Sequence, residues 1–546
     1  MTETVTVGEL AARFLERCGA GAAFGVISIH NMPILDAIAR RNALRFVPAR
    51  GEAGAASMAD AHARVSGGLG VCITSTGTAA GNAMGGLVEA HTAGTPLLHL
   101  TGQVETAYLD RGRGYIHEHV PQPVLLAGAA KQVLRVWTPD QALGVLRRAV
   151  LAATTPPCGP VSVEIPIDVQ EALVALPEDL EPLPVPAMAP PAAGLDRLAE
   201  RLAGARRPLL WLGGGARGAA AAVRRLADLG FGIVTSVQGR GILPESDPRT
   251  LGAFNLSPPV EAFYQSCDAL LVAGSRLRGN ETLKYTLKLP RPLYQIDIDP
   301  AQDSRAYPAD LFVPGDAAAA LDGLADRLAG RLAPDPGFHA DLAAARAAAW
   351  AAMAAAVAPY DRLLEALVAA VPDDVVWVRD VTISNSTWGN RAVPLSGPRD
   401  GVHALGGGIG MGLSMGIGAA LAAGGRKTVA LVGDGGIMLQ IGELATAVQE
   451  NADLAVLLMN DRGYGVIRNI QDAKYQGRRA YADLHTPDFA ALAASLGLAH
   501  ARIDTLSGIG PALAREIAKA GPRLIEVDMA AIGPFARPFA GPPVRK

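Results

Sequence analysis

Cysteine is scarce in this chain. Cys18, Cys72, Cys158 and Cys267 are far apart in 546 residues, with no CxxC pair or Cys/His cluster. That spacing argues against a disulfide framework or a zinc site and reads as reduced structural thiols, as expected of a cytoplasmic protein. Excess charge is missing as well. The formal net charge is −3 and no run of like charge occurs, which argues against nucleic acid or a membrane surface as partner. The N-terminus MTETVTVGELAARFLERCGA is acidic and amphipathic and lacks the basic and apolar regions of a signal peptide. No uninterrupted apolar segment of membrane-spanning length is expected, since even ALAAGGRKTVALVGDGG is broken by Arg426 and Lys427. Aromatics are few, whereas Ala and Gly are abundant, which suits helices packed closely on sheets.

What is present has a clear rhythm. Short apolar runs such as LGVCITST (69–76), RPLLWLGGG (207–215), DDVVWVRD (373–380) and KTVALVGD (427–434) alternate with amphipathic helical runs. This predicts an α/β fold of mainly parallel sheets flanked by helices. The length exceeds what one hydrophobic core supports. The proline-rich stretch 176–194 and an Ala-rich helical stretch, 332–361, read as linkers. They divide the chain into three expected domains, 1–175, 190–330 and 355–546.

The core-like run LLMN stops at Asp461, and a carboxylate at the end of a buried strand needs a reason. Upstream, the strand TVALVG breaks at Gly433-Asp434-Gly435-Gly436, where glycines let successive N–H groups converge on an anion. The following IMLQIGELATAVQE (437–450) is expected to be one helix whose N-terminus adds to that field. In a parallel sheet both strand ends fall on the ligand-binding edge, so Asp434 and Asp461 can face one hole. Either aspartate alone reads as a turn cap. With the glycine loop they describe a Mg²⁺ site holding a diphosphate, a loop carbonyl serving as third protein ligand.

These residues resemble the thiamine diphosphate motif of the acetolactate synthase, benzoylformate decarboxylase and pyruvate decarboxylase superfamily. In that motif GDG is followed, here after 27 positions (461 − 434 = 27), by a second metal-binding side chain in an N-D/N-x-x-Y-G setting. Most members carry Asn there. The spacing assigns the role here to Asp461 and not Asn460, with Gly463 offering its carbonyl and Tyr464 completing the motif. The resemblance covers essentially the whole chain and implies pyrimidine-binding, Rossmann-like middle and diphosphate-binding domains. HALGGGIGMGLSMGIGAALAA (403–423) resembles the segment that bends the cofactor. The resemblance makes Ile409 the wedge between the two rings and Gly407 the carbonyl that takes the 4′-amino hydrogen bond. Thr382 matches a diphosphate contact, and His403 is expected near the same cavity.

In the N-terminal third, FVPARGEAGAASMADAHARVSG (46–67) places Glu52 after a short strand at a helix start, where a carboxylate is also an ordinary cap. The stretch resembles the family signature in which this Glu contacts N1′ of the aminopyrimidine and so promotes loss of the C2 proton, a role that calls for partial burial. Gly77 and Asn82 fall on the pyrimidine side, with Gly77-Thr78-Ala79 where Gly-Pro-Gly is usual. AAFGVISIHNMPILDAI (22–38) matches acetolactate synthases except that Ile27-Ser28-Ile29 replaces Pro-Gly-Gly. His30 then falls where benzaldehyde lyase has an active-site histidine, suited to moving protons near neutral pH. His117, with His119 beside it, is the second such candidate.

The resemblance implies decarboxylation of a 2-oxo acid, or carboligation or C–C lyase chemistry through a C2 carbanion-enamine. The expected substrate is a small 2-oxo acid, 2-hydroxy ketone or aldehyde. Alternatives within the family are a 2-hydroxyacyl-CoA or oxalyl-CoA lyase, for which the tail 533–546 would be a lid, and acetolactate synthase. The resemblance also implies a homodimer or homotetramer with active sites at the subunit interface. Outside the family, an NAD-dependent oxidoreductase would rest on Gly213–Gly218 alone, a GxGxxG without the acidic strand-end partner. That turn is read as structural, and FAD is left without support.

Overall fold

The computed structural model describes residues 3–541, so the last five residues of the supposed lid lie outside it. Three parallel sheets dominate, as the alternation of apolar runs and helices requires. The N-terminal sheet runs in the order Arg45–Pro48, Ala22–Gly25, Gly70–Thr74, Leu97–Gln103, Pro160–Pro166 and Gln132–Arg135. The C-terminal sheet runs Gly401–His403, Val376–Arg379, Thr428–Gly433, Leu454–Asn460, Arg523–Asp528 and Ala499–Ile503. Counted in chain order, both follow 2-1-3-4-6-5, so the outer domains share one topology although no repeat is visible in the sequence. The middle sheet runs 2-1-3-4-5, starting from Gly232–Thr235 beside Pro208–Leu212. The one antiparallel pair of strands among the described residues ties Thr4–Thr6 to Leu173–Ala175.

Each of these orders reverses direction between its first and third strands. Crevices open at that point, at the carboxyl ends of the strands, and ligands bind there. The fold therefore offers three such places: after Gly25 and Thr74, after Leu212 and Ala273, and after Arg379 and Gly433.

The abundance of Ala and Gly has a local purpose. Helix Glu52–Ser66 of the N-terminal domain crosses helix Gly412–Ala422 of the C-terminal domain, joining Ala55, Met58 and Ala59 with Leu413, Ile417 and Ala419 in one buried cluster. A Cβ on Gly418 would stand 2.1 Å from the Met58 carbonyl oxygen, so the backbones meet only because that residue is glycine.

The expectation is of no uninterrupted apolar segment of spanning length, and the one candidate helix among the described residues is interrupted by Asp341 and Arg346. Phe338–Val357 is a 20-residue helix long and apolar enough to cross a membrane by length and composition. Its apolarity is mostly alanine, and an alanine run reads as a helical linker rather than a span. Phe338, Leu342, Ala349, Met353 and Val357 are buried against the middle and C-terminal domains. Arg346 on the same helix donates to the carbonyls of Glu245, Asp247 and Thr250.

Candidate active site

Three neighbouring strands of the C-terminal sheet are each followed directly by an aspartate on one edge: Asp380, Asp434 and Asp461. Gly433 lies in register with Met459, which brings the last two side by side. Asp434 is fully buried and accepts hydrogen bonds from the N–H of Asp461 (3.2 Å) and of Gly463 (2.7 Å). Burial raises the proton affinity of Asp434. Burial and the charge of Asp434 together push Asp461 up to about 7, against the pull of Arg468, 3.2 Å away. Asn460 points elsewhere, donating to Glu526 at 2.7 Å, because neighbouring residues of a strand face opposite sides.

The glycines are spoken for. A Cβ at Gly435 would meet the Tyr464 ring at 2.7 Å, at Gly433 Thr382 at 3.3 Å, and at Gly436 the carboxylate of Asp380 at 3.1 Å. Thr382, Gly433, Asp434, Gly435, Gly436, Asp461, Gly463 and Tyr464 are thus one cluster. The single helix expected over 437–450 is not found. Its first turn is Asp434–Ile437, a 3-10 turn follows at Met438–Gln440, and the helix restarts at Glu443–Gln449. The break lets Glu443 accept from the N–H groups of Arg50 and Gly51 (3.0 and 3.1 Å), just before Glu52.

The segment 403–410 is held from three sides. Glu89 accepts from the N–H of Leu405 (2.7 Å) and Gly406 (2.6 Å), Arg278 donates to the Leu405 carbonyl (2.7 Å), and Asp380 accepts from the Gly410 N–H (3.0 Å). Gly407 sits between these anchors at φ +82°, a Cβ there would meet nothing within 4 Å, and Ile409 is 39% exposed. Both border open space. His403 keeps some exposure, yet burial and nearby arginines hold its ring neutral, down to about 3, beside the Arg379 carbonyl (3.2 Å).

At the N-terminal sheet, Glu52 opens its helix half-buried and accepts from Asn82 at 3.0 Å. Gly77 needs its positive φ of +62°, and a Cβ there would crowd the His117 carbonyl (3.1 Å). Its N–H donates to buried Gln122 (2.6 Å), whose amide in turn donates to Glu164 (2.7 Å). His30 and His117 meet edge to face with centroids 5.1 Å apart; burial, then His117, lower the His30 pKa. His119 stands near Gly77, its Cβ 3.8 Å from where a Gly77 Cβ would be.

Sequence reasoning misses Gln122, Glu443, Glu89 and Asp380. Only Asp380 carries a usable signal, ending VWVRD as Asp434 ends ALVGD. A cavity of about 860 Å³ lies in neither outer crevice but at the middle one. Gly213–Gly215, Arg217, Arg276, Arg278 and Arg399 line it, so the glycine turn read as structural does border a space.

Comparison with known proteins now decides the family. Residues 5–125, 195–324 and 383–527 match the N-terminal TPP-binding, central and C-terminal TPP-binding domains described for thiamine pyrophosphate enzymes. The chain belongs to the thiamine pyrophosphate enzymes. It is 33% identical to a probable 2-ketoarginine decarboxylase of Pseudomonas aeruginosa over 96% of this chain and 94% of the relative. It is 28% identical to the acetolactate synthase isozyme 1 large subunit of Escherichia coli over 96% and 93%. A probable chloroplastic acetolactate synthase 2 of rice is 27% identical over 95% and 82%. The three-domain α/β fold, the thiamine diphosphate cofactor and a decarboxylase or carboligase activity all follow from this membership.

Proposed function

We propose that this enzyme decarboxylates a 2-oxo acid, with Mg²⁺ as second cofactor, and works as a homodimer or a dimer of dimers. The observation that carries the reading is the pair of edges: Glu52 with Asn82 on one, Asp434 with Asp461 on the other. A buried Asp434 beside a partly buried Asp461 whose proton affinity it raises, balanced only in part by Arg468, forms a donor set suited to a hard divalent cation. In this reading Asp434, Asp461 and the Gly463 carbonyl hold Mg²⁺ and through it the diphosphate, beside Thr382, Gly433, Gly435, Gly436 and Tyr464. A carboxylate where relatives use an amide adds one negative charge to that site.

When bound, thiamine diphosphate supplies the nucleophilic carbon and the electron sink for breaking the bond to the carboxylate. The chain does the rest. Glu52, oriented by Asn82, holds a proton at the aminopyrimidine N1′, and Gly77 lets the backbone pass close by. Gly407 and Ile409 shape the cofactor. His30 and His117 hold or move a proton at the substrate carbonyl or carboxylate.

Association is supported by large apolar side chains left exposed around both edges. They are Ile27, Ile29, Met32 and Ile116 beside the histidines, and Ile409, Leu439 and Ile467 on the diphosphate side. Acetolactate synthesis is the second reading within the family, and the replacement of Pro-Gly-Gly by Ile27-Ser28-Ile29 weighs against it. FAD is not part of the proposed cofactor set.

The test is to load the protein with thiamine diphosphate and Mg²⁺, count both cofactors and flavin per chain, and measure its mass in solution. A panel of 2-oxo acids, 2-ketoarginine among them, is then assayed with and without aldehyde acceptors. Glu52→Gln should lower turnover about a hundredfold or more, and Asp461→Asn should keep the metal. Full activity in Glu52→Gln, or cofactor binding indifferent to Mg²⁺, would sink the reading.

A further inference from the structure

Glu105 follows strand Leu97–Gln103 onto the same edge as His30 and Gly77. The other carboxylates of this edge are accounted for. Asp110 and Glu164 pair with Arg135, Asp168 accepts from Thr106, and Glu118 accepts four backbone N–H groups of its own loop. Glu105 is different. One oxygen accepts from the Tyr115 hydroxyl at 3.2 Å, while the other is shielded from solvent with no hydrogen-bond partner. No ion pair to Glu105 occurs among the described residues, although Arg111 and Arg113 lie in the next loop. An ionised carboxylate shielded in this way is costly until a cation meets it.

Its surroundings say which cation. Tyr108 and Tyr115 stack in parallel beside it, centroids 4.3 Å apart and planes within 14°. A flat aromatic pair next to a carboxylate suits a planar guanidinium, which stacks with its face and donates from its edge, and to a lesser degree an ammonium. Glu105 is also near enough to His30 to act on its charge, which puts it within one small substrate of the histidine pair.

We propose that Glu105, with the Tyr108–Tyr115 pair, receives a cationic group at the far end of the 2-oxo acid while His30 and His117 attend the reacting end. This rests on the 2-oxo acid reading above and narrows it to substrates with a guanidinium or ammonium tail. A carboxylate that merely positions His30 would serve neutral and charged substrates alike.

The experiment compares the 2-oxo acids derived from arginine and from citrulline, which differ only in a guanidinium against a neutral urea group. With thiamine diphosphate and Mg²⁺ bound, the wild type should favour the guanidinium acid about ten- to a hundredfold in kcat/KM, the loss expected for one charge-assisted hydrogen bond. Glu105→Gln should erase that preference mainly through KM, with the cofactor content unchanged, and Tyr115→Phe should retain it. Equal use of both acids by the wild type, or an equal drop for both in Glu105→Gln, overturns the proposal. The unreactive acids 5-guanidinopentanoate and 5-ureidopentanoate, titrated into the loaded protein, give the same comparison as binding constants. Should no 2-oxo acid turn over, the decarboxylase reading fails, and this titration alone then decides for or against Glu105. If Glu105→Gln does not retain the cofactor, Tyr108→Leu is titrated instead; guanidinium binding undiminished in it overturns the proposal.

Discussion

Replacing Glu89 by glutamine tests whether the N-terminal domain sets the loop that leads into Gly407. The side chain is almost wholly buried, and each oxygen is used. One accepts from Arg64 (2.8 Å) and the Leu405 N–H (2.7 Å), the other from the Gly406 N–H (2.6 Å). Glutamine keeps the shape but turns one oxygen into a donor. Whichever way the amide faces, one N–H meets another N–H, and Arg64 retains Asp60 as its only carboxylate. Loss of a charge-assisted hydrogen bond costs about 1.5–3 kcal/mol and an unsatisfied buried donor a further 1–3 kcal/mol. The sum, roughly 2.5–6 kcal/mol, should lower Tm by about 5 °C or more. Because Leu405 and Gly406 lead directly into Gly407, thiamine diphosphate affinity should fall as well. Thermal unfolding and a titration of intrinsic fluorescence with thiamine diphosphate at saturating Mg²⁺ measure both. Arg278→Met is the comparison, removing only the bond to the Leu405 carbonyl from the middle domain. If Glu89→Gln melts with the wild type and binds cofactor equally well, the domains do not communicate through this carboxylate.

Two further predictions concern packing and pH. Gly418→Ala should destabilise by about 1–3 kcal/mol, because its Cβ would meet the Met58 backbone at 2.1 Å. Gly144→Ala, exposed in helix Ala142–Thr154 with no atom within 4 Å of the new Cβ, should gain up to about 1 kcal/mol from helix propensity. Urea unfolding of the two variants should bracket the wild type, and equal midpoints would refute the close helix crossing. His99 is fully buried between the hydroxyls of Thr74 (2.9 Å) and Ser162 (3.0 Å), and burial pulls its pKa from 6.5 to about 4. The unfolded chain therefore binds more protons than the folded one between these values. Stability rises with pH across that window and is lost as pH falls from 6.5 toward 4, by up to about 1.4 kcal/mol per pH unit. His62, also buried to about 4, acts in the same direction, whereas Asp60 and Asp380, raised to about 6, oppose it below pH 6. The difference between wild type and His99→Gln isolates the His99 share. A pH slope unchanged in the variant would show that His99 carries none of it.

The parts of the site legible in the sequence are those where cause and residue are neighbours. A strand that ends in GDG, a carboxylate at the end of the next strand and a glutamate opening a helix each declare themselves within a few residues. Counting between two such signals puts the expectation on Asp461 rather than Asn460, and the strand's alternation turns Asn460 toward Glu526. The helix after GDGG is illegible for the opposite reason. Nothing local demands its break; a contact does, between Glu443 and the backbone at Arg50 and Gly51, nearly four hundred positions away.

By itself the sequence determined three α/β layers, their strand-end loops and the family to which the cofactor belongs, because period, glycine placement and motif spacing are properties of short stretches. Tertiary structure alone decided how those loops are held. Glu89 and Arg278 reach Leu405 from two other domains, Gln122 braces Gly77, and Glu105 is left with a shielded oxygen that no described residue pairs. Such contacts depend on which strand lies beside which and on how closely two helices can approach. Those are relations between distant segments, and no stretch of residues read alone contains them.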